Sequence, residues 1–300
     1  MRFIWAPCVT LHSAAGVLAA CNKWEEGKPM PKFAKRLLVA AILLLVLAAI
    51  LHMGGWLQCA IFTIGAIASV FEISNAFEKR DRKPFMLPAY LYAAGYFALY
   101  RLFGGEAVWL LGIFMVMLAL MERIWNRTRT TEDAFFALVP LVYPLAFFTA
   151  VAMVAEYAGE YDKSRIALFS IFAMPLMGDT FAYTFGRLFG KRKLSPELSP
   201  NKTVAGGIGG VLGGAVGGVL VYALEGLYPA GVSLQALLVL GLFCGVFGQF
   251  GDLFASAIKR WAGIKDYSRI FSEHGGMLDR LDSVLFCAPI VYAVFKIMGV

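Results

Sequence analysis

Apolar stretches of about 20 residues recur along this chain, each long enough to cross the roughly 30 Å hydrocarbon layer of a bilayer as a helix. About nine can be counted, centred near residues 45, 66, 94, 114, 145, 176, 214, 246 and 291, and a further apolar stretch covers residues 3–20. Backbone in lipid must satisfy its own hydrogen bonds. The expected fold is therefore all-α, a polytopic membrane helix bundle of about nine transmembrane helices with an extra N-terminal helix. Composition agrees, since 60% hydrophobic residues and a mean hydropathy of +0.71 give more apolar surface than one water-soluble core can hide.

Lys and Arg fall in alternate loops. Lys23, Lys28, Lys32, Lys35 and Arg36 precede the span near 45; Lys79, Arg80, Arg82 and Lys83 follow the span near 66; Arg123, Arg127 and Arg129 follow that near 114. Arg187, Lys191, Arg192, Lys193 and Lys202, then Lys259, Arg260, Lys265, Arg269 and Arg280, complete the pattern, so 22 of the 27 basic residues share one face. Short basic loops stay in the cytoplasm, which makes that face cytoplasmic, in the inner membrane of a cell. The net charge of +7 then belongs to a surface facing anionic lipid and soluble phosphates, with no need of nucleic acid.

Leu18-Ala19-Ala20-Cys21 resembles a lipoprotein cleavage site, but cleavage there would place the following basic stretch outside and invert the charge pattern. The five cysteines are scattered, with no CxxC or Cys/His spacing, so neither zinc nor a disulfide framework is expected. No linker divides the chain. Residues 1–36 form an N-terminal apolar segment and basic stretch, and residues 37–300 one transmembrane domain whose chemistry is concentrated from about residue 175.

Glycines at 206, 210, 214 and 218, with 209, 213 and 217 beside them, give a helix a stripe without side chains, which predicts close helix packing. Intramembrane carboxylates are costly and mark cavities or partners. Asp179 lies eight residues before Arg187 and Asp252 seven before Lys259, so both sit roughly 10–12 Å inside the cytoplasmic edge. Helical spacing adds Tyr183 and Arg187 to the face of Asp179, and Ser256 with Lys259 or Arg260 to that of Asp252. Glu72 and Glu225 have no such frame and read as packing or surface acids.

The densest cluster of charge runs from Ser256 to Asp282. Asp279 and Asp282 share one helical face, a spacing that suits a hard divalent cation bound through oxygen. Just before them stand His274, Gly275 and Gly276, where missing side chains let backbone N–H groups approach an anion.

The run Ser256-x-x-Lys259-Arg260, then Lys265-Asp266, then His274-Gly275-Gly276-x-x-Asp279-Arg280-x-Asp282 closely resembles the signature of the phosphatidate cytidylyltransferases, the integral membrane CDP-diacylglycerol synthases. A second block agrees, Gly178-Asp179-x-x-Ala182-Tyr183-x-x-Gly186 running into Phe189-Gly190-Lys191 and then Ser199-Pro200-Asn201-Lys202-Thr203. The resemblance implies an enzyme that condenses CTP with phosphatidate to give CDP-diacylglycerol and pyrophosphate, in phospholipid biosynthesis. It assigns Asp252, Asp279 and Asp282 to Mg²⁺ and, with Lys265, to catalysis. Asp179, Ser199, Asn201, Lys202, Ser256, Lys259, Arg260, His274, Gly275, Gly276 and Arg280 would bind substrate. The likeness further implies a second, monovalent cation such as K⁺, and a homodimer in membrane lipid.

Two positions depart from the family pattern. Val204-Ala205-Gly206 carries no acid where the family has one, and Ser272 stands where Pro or Gly is usual. The first leaves open a paralogue acting on another lipid phosphate, or an inactive scaffold. A transporter would also use intramembrane carboxylates, but alternating access requires polar groups toward both faces, and the distal halves of these spans are almost wholly apolar. A polyprenol kinase fits the full order of motifs less well.

Overall fold

The computed structural model describes residues 45, 47–126, 128–157, 161–271 and 275–298. These fall within one compact unit, Leu44–Val300. Residues 1–36, most of the span near 45, Ser272 and His274 lie outside the described residues.

Residues 47–53 are helical, and helices α1 (Gly55–Glu78), α2 (Leu87–Phe103) and α3 (Gly105–Trp125) follow. A broken crossing follows, formed by α4 (Thr131–Pro140), a π turn (Leu141–Leu145) and α5 (Ala146–Ala155). Then come α6 (Tyr161–Phe189), a hairpin of β1 (Lys193–Ser195) and β2 (Ser199–Thr203), α7 (Val204–Ala223), α8 (Leu234–Ala262) and α9 (Leu278–Met298). Among the described residues seven helical segments are long and apolar enough to cross a membrane, counting α4 to α5 as one. The expected span near 94 is α2, whose 17 residues cover about 26 Å and fall short of the hydrocarbon layer.

The hairpin is the one departure from an all-helical chain among the described residues. Pro196 and Pro200 hold Ser195 and Ser199 in extended conformations. The strands pair antiparallel, Lys193 opposite Thr203 and Ser195 opposite Ser199.

Local chemistry sets the helix ends. Thr130 and Asp133 form a reciprocal capping box at the start of α4. The crossing then breaks where Pro140 and Pro144 withhold backbone donors, and Tyr143 leaves helical geometry at φ −136°, ψ 117°. Its ring is carried edge-on against Phe254 of α8 and Phe286 of α9, at 4.9 and 6.0 Å between centroids. Gly263, in the left-handed region at φ 73°, terminates α8, whose Lys259 carbonyl accepts from Ile264.

The glycine stripe packs α7 between two neighbours, as its spacing predicts. A Cβ at Gly213 or Gly217 would run into the backbone of Met177 or Met174 on α6; one at Gly214 or Gly218 would meet that of Gly241 or Leu237 on α8. The front helices use aromatic packing instead, with Phe62 stacked on Phe97 and Tyr96 edge-on to Phe148. Cysteines 59, 244 and 287 are free and buried.

Contacts between loops identify one shared end of the bundle. Arg82 pairs with Glu132 at 2.5 Å, Arg80 donates to the Trp261 carbonyl, and Arg260 Nε donates to the Leu198 carbonyl at 3.3 Å. At 29 residues α8 is about 43 Å long, more than the hydrocarbon thickness, so its last turns extend past the bilayer core at this end.

Candidate active site

Three helices and the hairpin enclose a cavity of about 480 Å³ near this end of the bundle. Asp179, Tyr183 and Arg187 face it from α6, Asn201 and Lys202 from β2, and Gln249 and Asp252 from α8. The i, i+4, i+8 series on α6 sets its base in the last turn of the helix and its acid two turns further in. Lys202 Nζ lies 2.6 Å from Asp252 Oδ2, yet its N–H groups have no aligned acceptor among the described residues. Gln249 Nε2 donates to the carbonyls of Gly207 and Gly245 at 3.0 and 2.6 Å, bridging α7 and α8. Thr203 caps α7 by accepting from Gly206 N–H at 3.1 Å, and so fixes where β2 ends.

Behind Asp252 the start of α9 folds against the end of α8. Lys259 Nζ and Asp279 Oδ1 form a buried pair at 2.6 Å, their side chains 10% and 6% exposed. Asp279 Oδ2 accepts from the backbone N–H groups of Tyr267 and Gly276, at 3.0 and 2.9 Å. Both oxygens of Asp279 are thus engaged inside the protein. Asp282 is also buried, and its Oδ1 accepts from Ser283 N–H at 2.7 Å. Ser256 Oγ approaches Asp252 Oδ1 at 3.5 Å. Burial pushes the Tyr267 hydroxyl above its usual range, with the charges of Asp279, Asp282 and Glu72 adding to the effect, and the hydroxyl donates to the Ala255 carbonyl at 3.1 Å.

Glu72 of α1 reaches this same turn. Fully buried, it accepts from Ser268 Oγ at 2.5 Å, Met277 N–H at 2.8 Å and Leu278 N–H at 2.8 Å. Sequence reading leaves it as a packing or surface acid, since its partners stand about 200 residues away.

Of the residues singled out in the sequence, Asp179, Asn201, Lys202 and Asp252 share the cavity wall. Ser256, Lys259, Asp279 and Asp282 cluster beside it, and the charges of Asp179, Asp252 and Asp282 act on one another. Arg280 is exposed, yet its charge and that of Lys202 act on Asp179. Elsewhere the geometry differs from the expectation. Ser199 sits in the strand ladder, Lys265 is exposed with no contact to the site, and Arg260 is held by the Leu198 and Ile264 carbonyls. Gly275 and Gly276 are buried, and the Gly276 N–H points to Asp279. Tyr183 and Arg187, which helical spacing puts on the face of Asp179, line the cavity with it, while Gln249 is a cavity residue that sequence reading does not single out, although it stands about one helical turn before Asp252.

The implied magnesium ion can be set against these donors. Among the described residues no three His, Cys, Asp or Glu side chains converge closely enough to hold a metal by themselves. Magnesium needs only one or two carboxylates when substrate phosphates complete its shell. Asp179 makes no hydrogen bond or ion pair among the described residues, and Asp282 Oδ2 likewise has no donor. Asp252 Oδ1, approached only by Ser256 Oγ at 3.5 Å, and Asp282 Oδ2 are then oxygen donors on mutually repelling carboxylates, and they fit a divalent cation.

Acids and bases gathered around one cavity at one end of a bundle of apolar helices mark a membrane protein with a substrate or ion site at that end. The model of the cytidylyltransferase family matches residues 34–298, and the chain belongs to that family. It is 45% identical over 67 residues to the phosphatidate cytidylyltransferase of Thermotoga maritima, covering 22% of this chain and 25% of that protein. The enzyme of the same name from Aquifex aeolicus is 50% identical over 56 residues, 19% of this chain and 22% of its own length. That from Staphylococcus epidermidis is 32% identical over 180 residues, covering 60% and 66% respectively. The matched stretches thus span about a quarter of the first two relatives and just under two thirds of the third.

Proposed function

We propose that this chain transfers the cytidylyl group of CTP to phosphatidate, giving CDP-diacylglycerol and pyrophosphate. One observation carries the reading: the cavity sets the paired Lys202 and Asp252 beside Asp179, with Arg187 in the last turn of α6. Names of relatives and membership of the family support the same chemistry.

In this reading a phosphate oxygen of the lipid attacks the α-phosphorus of CTP, and the bond to the pyrophosphate oxygen breaks. The nucleophile is already anionic, so what the protein must supply is alignment of two polyanions and neutralisation of the leaving group. Asp252 and Asp282 would hold Mg²⁺, which when bound offsets the charge of the triphosphate. Asp179 remains as the carboxylate for a second, monovalent ion such as K⁺. Lys202, whose N–H groups lack aligned acceptors, and Arg187 take phosphate oxygens, while Asn201 donates from β2 beside Lys202. Asp279 holds the loop before α9 through its two backbone bonds and through Lys259. Arg280 and Lys265, both exposed, meet nucleotide phosphates from the solvent side.

The basic end of the bundle faces the cytoplasm of an inner membrane in this proposal, by the distribution of Lys and Arg. Residues 37–300 act as one catalytic domain with α2 and the span near 45 as the remaining crossings, and two copies associate in the bilayer. Family membership tells against the transporter.

The test is turnover by purified protein in lipid nanodiscs, given CTP, Mg²⁺ and a panel of lipid phosphates. Phosphatidate should yield CDP-diacylglycerol with equimolar pyrophosphate, and Asp252→Asn or Asp282→Asn should lower the rate about 100-fold or more. Absence of turnover with every lipid phosphate refutes the proposal; preference for another lipid phosphate would identify a paralogue.

A further inference from the structure

We infer that Glu72 is a positioning residue for the site, a carboxylate from the front of the chain that fixes where α9 begins. The inference rests on the function proposed above only for its consequence in turnover; the contact itself stands on geometry.

The first amide groups of any helix lack intrahelical acceptors. At α9 two N–H groups, those of Met277 and Leu278, are satisfied by one carboxylate, with Oε1 and Oε2 of Glu72 each taking one at 2.8 Å. Oε1 also accepts from Ser268 Oγ, which ties the loop between α8 and α9 to the same point. The positive end of the helix dipole favours a negative charge at this place. Among the described residues no Lys or Arg pairs with Glu72, so its charge is held by these donors alone.

Glycine makes the approach possible. A Cβ on Gly276 would fall on the Glu72 carboxylate, and one on Gly275, at φ 79°, would press on Asp279. Two acids therefore grip the turn, Glu72 from α1 and Asp279 from within α9. The next residues are Arg280 and Asp282, within about one helical turn of the gripped amides. A shift of the helix start moves both, and through Asp279 it moves Lys259. A buried acid that served stability alone could have ended on any helix; this one ends on the turn bearing the site.

The experiment compares Glu72→Gln, Ser268→Ala and Glu156→Gln in nanodiscs. Glutamine keeps the size of Glu72 but turns an amide N–H₂ toward one of the N–H donors. Ser268→Ala removes one bond of three. Glu156→Gln weakens the Arg101–Glu156 pair, which joins α2 to the end of α5 and serves as a control away from the site. Two readouts are taken on each: hydrogen exchange of the peptide covering residues 275–281, and the Mg²⁺ concentration that half-saturates turnover. Glu72→Gln should speed exchange and raise the Mg²⁺ requirement on the order of tenfold. Ser268→Ala should do both to a smaller degree, and Glu156→Gln neither, although it lowers thermal stability.

Unchanged exchange and an unchanged Mg²⁺ requirement in folded Glu72→Gln overturn the inference, as does a fall in thermal stability alone. Should Glu72→Gln fail to fold, Ser268→Ala decides by the same two readouts. A wild-type protein without turnover refutes the proposed function, and the exchange arm still decides whether Glu72 holds the turn.

Discussion

Replacing Lys259 by Met removes the cation from a pair whose two side chains are 10% and 6% exposed, at 2.6 Å from Asp279. At that separation the Coulomb attraction is about 6 kcal/mol for an effective dielectric of 20, before desolvation is subtracted. Removing one partner of a buried pair costs about 3–5 kcal/mol, because the other charge stays buried. Asp279 keeps two backbone donors on its second oxygen, so the lower figure, about 3 kcal/mol, is expected. At 2–4 °C per kcal/mol this lowers the melting temperature of the detergent-solubilised protein by about 6–12 °C. Lys259→Met combined with Asp279→Asn removes both charges and should recover part of the loss, with a coupling energy of at least about 2 kcal/mol in a double-mutant cycle. The assay is thermal unfolding of the four proteins, followed by tryptophan fluorescence. A shift under 1 °C for the single variant, or a coupling below about 0.5 kcal/mol, refutes the claim that this pair holds the end of α8 to the start of α9.

Gly214→Ala drives a methyl group into the α8 backbone at Gly241 and should cost about 1–3 kcal/mol or more, whereas Gly226→Ala, which meets nothing within 4 Å, should be nearly neutral; melting temperatures of the two variants decide. Thr130→Ala removes the cap of α4 and should destabilise by about 1 kcal/mol, seen as a fall in melting temperature of about 2–4 °C. Gln249→Leu loses two bonds to the Gly207 and Gly245 carbonyls, and turnover at saturating CTP should fall more than thermal stability does.

Helical periodicity made much of the site legible before any coordinates. Asp179 and Asp252 could be put at one depth by counting residues to Arg187 and Lys259, since the rise per residue is fixed, and both face one cavity. The glycine spacing likewise gave the packing of α7, because a stripe without side chains has few uses other than close approach. Counting along one helix cannot show which atoms a carboxylate meets on another. Asp279 and Asp282 share a face by spacing, yet Asp279 turns its oxygens to Lys259, Tyr267 and Gly276, contacts created by the fold of the intervening loop. Glu72 was illegible for the same reason: nothing near it in sequence indicates that α9 starts against it. The β hairpin was hidden by its polar residues, which read as loop, although Pro196 and Pro200 carried the signal for extended chain.

Where α6, α7 and α8 meet, main chain rests on main chain at Gly213, Gly214, Gly217 and Gly218, with few side chains between them to rearrange. The spacing of the helices that carry Asp179 and Asp252 is thereby held largely by peptide thickness, so changes in their lipid-facing side chains should leave it unaltered. Gly251 brings α9 into the same slab, since a Cβ there would meet the Asp282 backbone, so any adjustment that lets the cavity admit a bulky headgroup has to come from the hairpin.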